Sequence, residues 1–106
     1  MIFRPALIEK ILAGEKTQTR RPGGRANCQY RAGRTYAVQP GRGQRQVARL
    51  RVLEVRREKL GDISQEDAGA EGFPGRETFL RYWQRIYGEV DHDQLIWVLR
   101  FELVPA

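Results

Sequence analysis

The sequence predicts an α+β fold, in which a small curled sheet or mixed barrel has short helices at its side. Three observations predict it. The chain has 106 residues, which is the size of a single domain with one core, so residues 1–106 are expected to form one domain. The predicted elements follow the order α, β, β, α, α, β, and the sequence contains no internal repeat. Because strands and helices do not alternate regularly, a doubly wound parallel sheet is not expected.

A short helix and a long basic loop are predicted at the start of the chain. The helix is expected over residues 5–13, because apolar side chains recur on one face, Pro5 suits the first turn and Gly14 suits a left-handed stop. Residues 15–34 are rich in glycine and arginine and are predicted to form a loop. A loop of this length in so small a domain is usually functional.

A β-hairpin is predicted next. Residues 35–38 and 47–57 are two apolar-containing runs that favour strands, and the glycine-rich residues 40–43 between them indicate a turn. The tip of this hairpin would carry exposed arginines.

The second half predicts two helices and a closing strand. Ser64 followed by Asp67 three residues later indicates a helix N-terminus, and the helix should run to about Ala70. A second helix is predicted over 76–87, with an aromatic face interpreted as core. The alternating apolar residues of 94–104 predict a strand, and its first half should be covered on both faces.

The composition is that of a folded domain outside the membrane. Apolar residues make up 41% and charged residues 30%, so a disordered chain is not expected. The longest apolar run, Leu95–Leu99, has five residues, far fewer than the roughly 20 needed to span a bilayer. The first five residues do not resemble a secretory leader. We therefore expect no membrane partner and a cytoplasmic location.

Cysteine and histidine are too rare to build a zinc site. Cys28 and His92 are the single residues of their types, so the sequence excludes an internal disulfide and a thiolate/imidazole zinc set. Cys28 is interpreted as a loop thiol without a catalytic role. We expect no metal, no cofactor, and a monomer or a weak homodimer.

Positive charge is concentrated in the first half. Residues 1–60 hold 15 Lys/Arg and 4 Asp/Glu, a net charge of +11, whereas residues 61–106 hold 4 and 9, a net charge of −5. Between Lys16 and Leu53 there are ten basic residues and no acidic one. A region with this excess of positive charge attracts polyanions. The planar guanidinium of arginine fits the geometry of phosphate groups and stacks on bases. The pattern favours a polyanionic partner, although arginines dispersed over a solvated surface would give the same composition.

A short motif follows the first predicted helix. The pattern G-x-K-x-x-T-x-R is filled by Gly14, Lys16, Thr19 and Arg21. With this motif and the order of its elements, the chain resembles the ASCH domain family over essentially its whole length. The resemblance implies a PUA-like fold, a small mixed β-barrel with flanking short helices. Further agreement comes from residues 36–38, 60–64, 71–73 and 97–101.

The resemblance also implies a cleft for RNA or a modified nucleoside. The signature segment would line this cleft, and the loop arginines would contact phosphate groups. RNA or nucleoside recognition is therefore the first functional hypothesis. The candidate ligand-binding residues are Lys16, Thr17, Thr19, Arg20, Arg21, Arg25, Arg31, Arg34, Arg42 and Arg45.

Enzymatic activity is the alternative. Some ASCH proteins are amidohydrolases that remove the acyl group from N4-acetylcytidine with a Lys, a Thr and a Glu, which match Lys16, Thr19 and Glu71. Glu66 and Asp67 compete for the third role. In such a trio Thr19 would be the nucleophile, a lysine of lowered pKa its base, and Glu71 would protonate or orient the leaving amine. Because Lys16 and Thr19 have opposite parity, a turn or bulge is expected between them. A metal-independent ribonuclease is a third, less favoured hypothesis.

Overall fold

The computed structural model describes residues 1–23 and 27–105 and places three helices and four strands in that part of the chain. A 3-10 turn, Leu60–Asp62, follows the third strand. In the described residues no helix is long and apolar enough to cross a bilayer. The elements are, in chain order, α1 (Pro5–Leu12), β1 (Gln18–Pro22), β2 (Thr35–Val38), β3 (Ala48–Lys59), α2 (Gln65–Ala70), α3 (Arg76–Tyr87) and β4 (Leu95–Leu103).

The four strands form an open antiparallel sheet in the order β1-β4-β3-β2. The mixed α and β architecture is confirmed, and so is the predicted hairpin between β2 and β3. The closed barrel that the resemblance implied is not seen in the described residues, where β1 and β2 are the two edges. Beyond the end of β2, Gln39 bonds instead to N-terminal residues. Its N–H donates to Met1 O at 2.9 Å, and its carbonyl accepts from Phe3 N at 3.0 Å.

The segment 15–34 is not irregular throughout, because Gln18–Pro22 forms β1. The loop prediction was wrong there, since the strand has mostly polar side chains and therefore gives no alternating hydrophobic signal. Pairing with β4 along the whole of β1 supplies its hydrogen bonds instead. The boundaries of the other helices and strands differ from the predicted ones by at most two residues, which is within the usual uncertainty of element ends.

The sheet buries apolar side chains on both faces. One face packs against α1, and the other packs against α2 and α3. β4 contributes to both clusters, because neighbouring side chains of a strand point to opposite faces. Leu99 and Phe101 belong to the first cluster, whereas Ile96 and Val98 belong to the second. On the aromatic face of α3, Phe79 and Trp83 are buried in the second cluster as predicted, whereas Tyr87 at the end of the helix is exposed.

Candidate functional site

A cleft of about 750 Å³ lies beside the edge strand β1. Its walls come from the N-terminal residues, from β1 and from α3. Although Lys16 and Glu71 are 55 positions apart in the chain, both line this cleft. The predicted site residues that line it are Lys16, Thr19, Arg20, Arg21 and Glu71.

The end of α1 directs the chain toward the cleft. Gly14 has a φ of +77°, a conformation that glycine adopts without strain. Its N–H donates to Ile11 O at 3.0 Å, and the N–H of Glu15 donates to Lys10 O at 2.9 Å. These two bonds form a Schellman motif, which satisfies carbonyls at the helix end. Lys16 follows this turn directly and precedes β1.

The Lys16 ammonium group is buried and fully hydrogen-bonded. Its Nζ donates to Gln18 O and Glu71 O, both at 2.8 Å, and to Glu71 Oε1 at 2.9 Å. An ammonium has three hydrogens, so each one has an acceptor. Burial lowers the pKa of Lys16 below its ordinary value; the charge of Glu71 opposes this shift, and Arg21 and Arg20 add to it.

Glu71 connects two buried cations through one carboxylate. Its Oε1 accepts from Lys16, and its Oε2 accepts from Arg20 Nη1 at 3.0 Å. The side chains of the three residues are at most 4% exposed. Glu71 is the C-cap residue of α2, whose N-cap Ser64 accepts a hydrogen bond from the Asp67 N–H. The C-terminal end of this short helix places Glu71 at the cleft, and the bonds to Lys16 and Arg20 hold its carboxylate.

The Arg20 guanidinium group donates hydrogen bonds to other side chains of the protein. Nε and Nη2 donate to Glu58 Oε2 at 3.2 and 2.9 Å, and Nη2 also donates to Asp67 Oδ2 at 3.2 Å. Nη1 donates to Gln18 Oε1 at 2.9 Å and to Glu71. A guanidinium has five N–H donors, and these five bonds occupy them. Arg20 therefore has no free donor for the ligand contact that the sequence predicted. Its bond to Oε2 instead holds the Glu71 carboxylate in place.

The alternation of β1 separates the signature residues into two groups. Thr19 and Arg21 lie on one face of the strand, and Gln18 and Arg20 lie on the other. Lys16 lies before β1, so the parity argument for a straight strand does not apply to it. Lys16 and Thr19 consequently line the same cleft, with the turn after α1 preceding both.

Arg21 lies against Phe3 in the wall of the cleft. Its Cζ is 4.9 Å from the centroid of the Phe3 ring, and its Nη2 donates to Ile2 O at 3.1 Å. In the described part of the chain Arg21 makes no ion pair. Unlike Arg20, it therefore presents a cation whose charge is not neutralised by a carboxylate of the described residues.

Aromatic side chains complete the cleft. Tyr82 of α3 and Tyr30 line it together with Phe3. Burial raises the pKa of Tyr82, and the nearby Arg4 opposes that shift. Tyr82 lies three residues after the core residue Phe79, a spacing that places the two side chains on neighbouring parts of one helix face. That spacing was the only signal in the sequence for Tyr82.

The remaining candidate residues either do not line the cleft or lie outside the described residues. Thr17 is exposed, and its backbone N–H donates to Ala70 O at 2.8 Å. Arg25 lies outside the described residues. Four of the candidate arginines are exposed and do not line the cleft, namely Arg31, Arg34, Arg42 and Arg45.

The acidic side chains around Arg20 do not form a metal site. Across residues 1–23 and 27–105, no group of three His, Cys, Asp or Glu side chains is arranged to hold a metal ion. Glu58, Asp67 and Glu71 each accept a hydrogen bond from Arg20. Their negative charges are thus directed at a guanidinium group.

A family model described as the ASCH domain matches residues 1–105. The chain belongs to the ASCH domain family. The structure of an ASCH domain from Lactobacillus crispatus JV V101 has a similar fold, with a TM-score of 0.69 and 18% sequence identity. The match covers 92% of this chain and 70% of the Lactobacillus chain.

Two further solved structures share the ASCH fold of this chain. A protein from Enterococcus faecalis V583 has a TM-score of 0.72 and 22% identity, with 93% of this chain and 70% of that chain covered. A hypothetical protein has a TM-score of 0.73 and 20% identity, with 98% and 96% covered. No curated protein matches the sequence.

Proposed function

We propose that this ASCH protein binds a cytidine-type nucleoside in the cleft and hydrolyses an acyl amide on its exocyclic nitrogen. The observation that carries the proposal is the 2.9 Å contact between Lys16 Nζ and Glu71 Oε1 in the cleft that Thr19 also lines. The resemblance to amidohydrolase members of the family assigns a role to these three residue types. Their convergence from two distant parts of the chain supports the same assignment here.

The size and lining of the cleft suit a nucleoside. Small-molecule sites generally measure about 300–1,000 Å³ and combine apolar walls with a few polar groups, and the cleft of about 750 Å³ lies within that range. Phe3, Tyr30 and Tyr82 supply aromatic surface, and Arg21 supplies a cation. Unpaired bases commonly stack on such side chains in RNA-binding proteins.

The reaction proceeds through an acyl group on Thr19. Thr19 Oγ1 attacks the acyl carbonyl carbon, and the hydroxyl proton passes to the Lys16 amine. The tetrahedral adduct then breaks its C–N bond, the proton moves from Lys16 to the departing exocyclic nitrogen, and cytidine leaves. Water hydrolyses the remaining ester, which releases the carboxylic acid and restores the Thr19 hydroxyl.

Lys16 becomes a base once it has passed a proton to Glu71. Its three hydrogens are bonded to acceptors in the free protein, and transfer to Glu71 Oε1 converts the buried ion pair into a neutral pair. Burial favours this transfer because it lowers the pKa of Lys16. Arg20 opposes it by stabilising the ionised carboxylate. A ligand that excludes water from the cleft shifts the balance toward the neutral pair.

Incubation with N4-acetylcytidine, followed by mass spectrometry, tests the proposal. We expect the protein to release cytidine and acetate, and we expect Thr19→Val to lower the rate by about 100-fold or more, because it removes the nucleophile and its proton transfer. Thr78→Val, which changes a threonine of α3 outside the cleft, is the matched control and should retain the rate. Absence of turnover, or equal rates for the wild-type protein and Thr19→Val, would contradict the proposal.

RNA recognition without turnover is the second candidate function. RNA binding is common in the ASCH family. Four arginines favour it here, because they are exposed and make no ion pair with a described residue. Tight, salt-sensitive RNA binding, with no hydrolysis of acetylcytidine, would support RNA recognition over the amidohydrolase function. Cleavage of the RNA during incubation with the protein would support the ribonuclease hypothesis. The four residues are Arg31, Arg34, Arg42 and Arg45.

A further inference from the structure

We infer that a second cavity next to the cleft binds the neighbouring nucleotide of an RNA strand, so that a nucleotide within RNA is preferred to a free nucleoside as the ligand. This inference rests on the proposed binding of a nucleoside in the cleft. It adds a site for a second nucleotide and a position for the phosphate group between the two.

The second cavity has a volume of about 440 Å³ and adjoins the cleft. Arg21 and Tyr30 line both spaces, so one ligand can extend from the cleft into the second cavity past these two side chains. No carboxylate of the described residues lines the second cavity. The other residues that line it include Asn27, Cys28, Gln29 and Trp97.

Trp97 provides a stacking surface in the second cavity. It is half-buried in β4, and the Arg57 guanidinium lies 4.3 Å from the centroid of its ring. This cation–π contact fixes the orientation of the indole. Asn27 and Gln29 are exposed at the same cavity, and their carboxamides both donate and accept hydrogen bonds. A stacking ring with adjacent amides is the combination that recognises an unpaired base.

Arg21 lies where the phosphate between two nucleotides would be. It borders both cavities, and its charge has no carboxylate partner in the described part of the chain. The stacking on Phe3 and the bond to Ile2 O hold the guanidinium in place, and most of its five N–H donors remain for a ligand. A fixed, unneutralised guanidinium is a strong hydrogen-bond donor to phosphate oxygens. A free nucleoside would leave this charge unused.

Calorimetric titration of the full chain with four probes tests the inference. The probes are cytidine, cytidine 5′-monophosphate, and the two dinucleotides that place adenosine on the 5′ or the 3′ side of cytidine. We expect one dinucleotide to bind at least tenfold more tightly than cytidine and cytidine 5′-monophosphate. Trp97→Leu should weaken that dinucleotide by roughly 5- to 150-fold, which is the range for loss of one base–aromatic stack, and should leave cytidine binding unchanged.

A second variant covers the case in which Trp97→Leu does not fold. The double change Asn27→Ala and Gln29→Ala alters only exposed loop side chains and should weaken the dinucleotide selectively. If the monophosphate binds as tightly as the dinucleotides, the second cavity does not bind a nucleotide and the inference is wrong. Acetylcytidine turnover with equal affinity for all probes would leave the proposed function standing and overturn the inference alone. Absence of both turnover and binding would overturn both.

Discussion

Replacing Glu71 by glutamine should destabilise the protein, because one carboxylate accepts hydrogen bonds from two buried cations. Lys16 Nζ lies 2.9 Å from Oε1, and Arg20 Nη1 lies 3.0 Å from Oε2. Glutamine has the same shape but only one oxygen. Whichever way its amide is turned, the NH₂ group faces an N–H donor of Lys16 or Arg20 and leaves that one N–H without its acceptor.

The size of the effect follows from the burial of the network. Removing one partner of a buried ion pair costs about 3–5 kcal/mol. The lower end applies here, because Lys16 keeps two carbonyl acceptors and Arg20 keeps Glu58 and Asp67. We therefore expect the free energy of unfolding to fall by about 3 kcal/mol. In a domain of near 100 residues, each kcal/mol lowers Tm by about 4 °C, so the expected decrease in Tm is roughly 12 °C.

The loss of stability in Glu71→Gln should depend on pH. Burial lowers the pKa of Lys16, and Glu71 opposes that shift, so the pKa falls further in the variant. A lysine with a folded pKa below its unfolded value weakens the fold while both states are charged. This penalty is relieved as the pH rises through the folded pKa toward the unfolded value. The difference between wild type and variant should therefore be largest near neutral pH and smaller in alkaline solution.

Thermal and urea unfolding at several pH values measures both effects. Glu66→Gln removes a charge from the same helix at an exposed position and should change the free energy of unfolding by no more than about 1 kcal/mol. The double variant Lys16→Met with Glu71→Gln should recover part of the loss, because it removes the unpaired lysine as well. A Glu71→Gln protein as stable as Glu66→Gln, or a loss that stays constant with pH, would refute the reasoning.

Two further predictions concern the start of α2 and the loop arginines. Ser64→Ala removes the acceptor of the Asp67 N–H, 2.9 Å away, and should lower the free energy of unfolding by about 1 kcal/mol; an unchanged urea midpoint would contradict this. If RNA binds the exposed arginines, Arg34→Gln or Arg45→Gln should each flatten the slope of log K against log salt by about 0.7 for single-stranded RNA. A slope that does not change would exclude that residue from the phosphate contacts.

The tertiary structure brings part of the positive charge of the first half of the chain into contact with carboxylates of the second half. The first half of the chain carries a net charge of +11 and the second half −5, and ion pairs between the halves cancel part of this difference. Lys16 pairs with Glu71, and Arg20 and Arg56 both pair with Asp67. The cations of the signature therefore divide between a neutralised interior pair and Arg21, which lies at the cavities without a carboxylate partner among the described residues.

Local spacing was sufficient for much of the fold and for the family. Apolar periodicity and the capping residues predicted α1, α2 and α3, and the alternation of β4 predicted a strand covered on both sides. The motif that ends in Arg21 indicated the ASCH family, which the family model confirms. These features are readable because each depends on residues within a few positions of one another, whose geometry is set by the period of a helix or a strand.

Contacts between distant residues were decided only by the folded chain. β1 exists because β4 pairs with it, and the open sheet follows from how the edges are arranged. The sequence placed Glu71 among the candidates through resemblance, but its contact with Lys16 spans 55 positions. The internal role of Arg20 likewise depends on Glu58 and Asp67, which come from other elements. Such contacts depend on how α2 lies against the start of β1 and the residue before it, and no local period in the sequence encodes that packing.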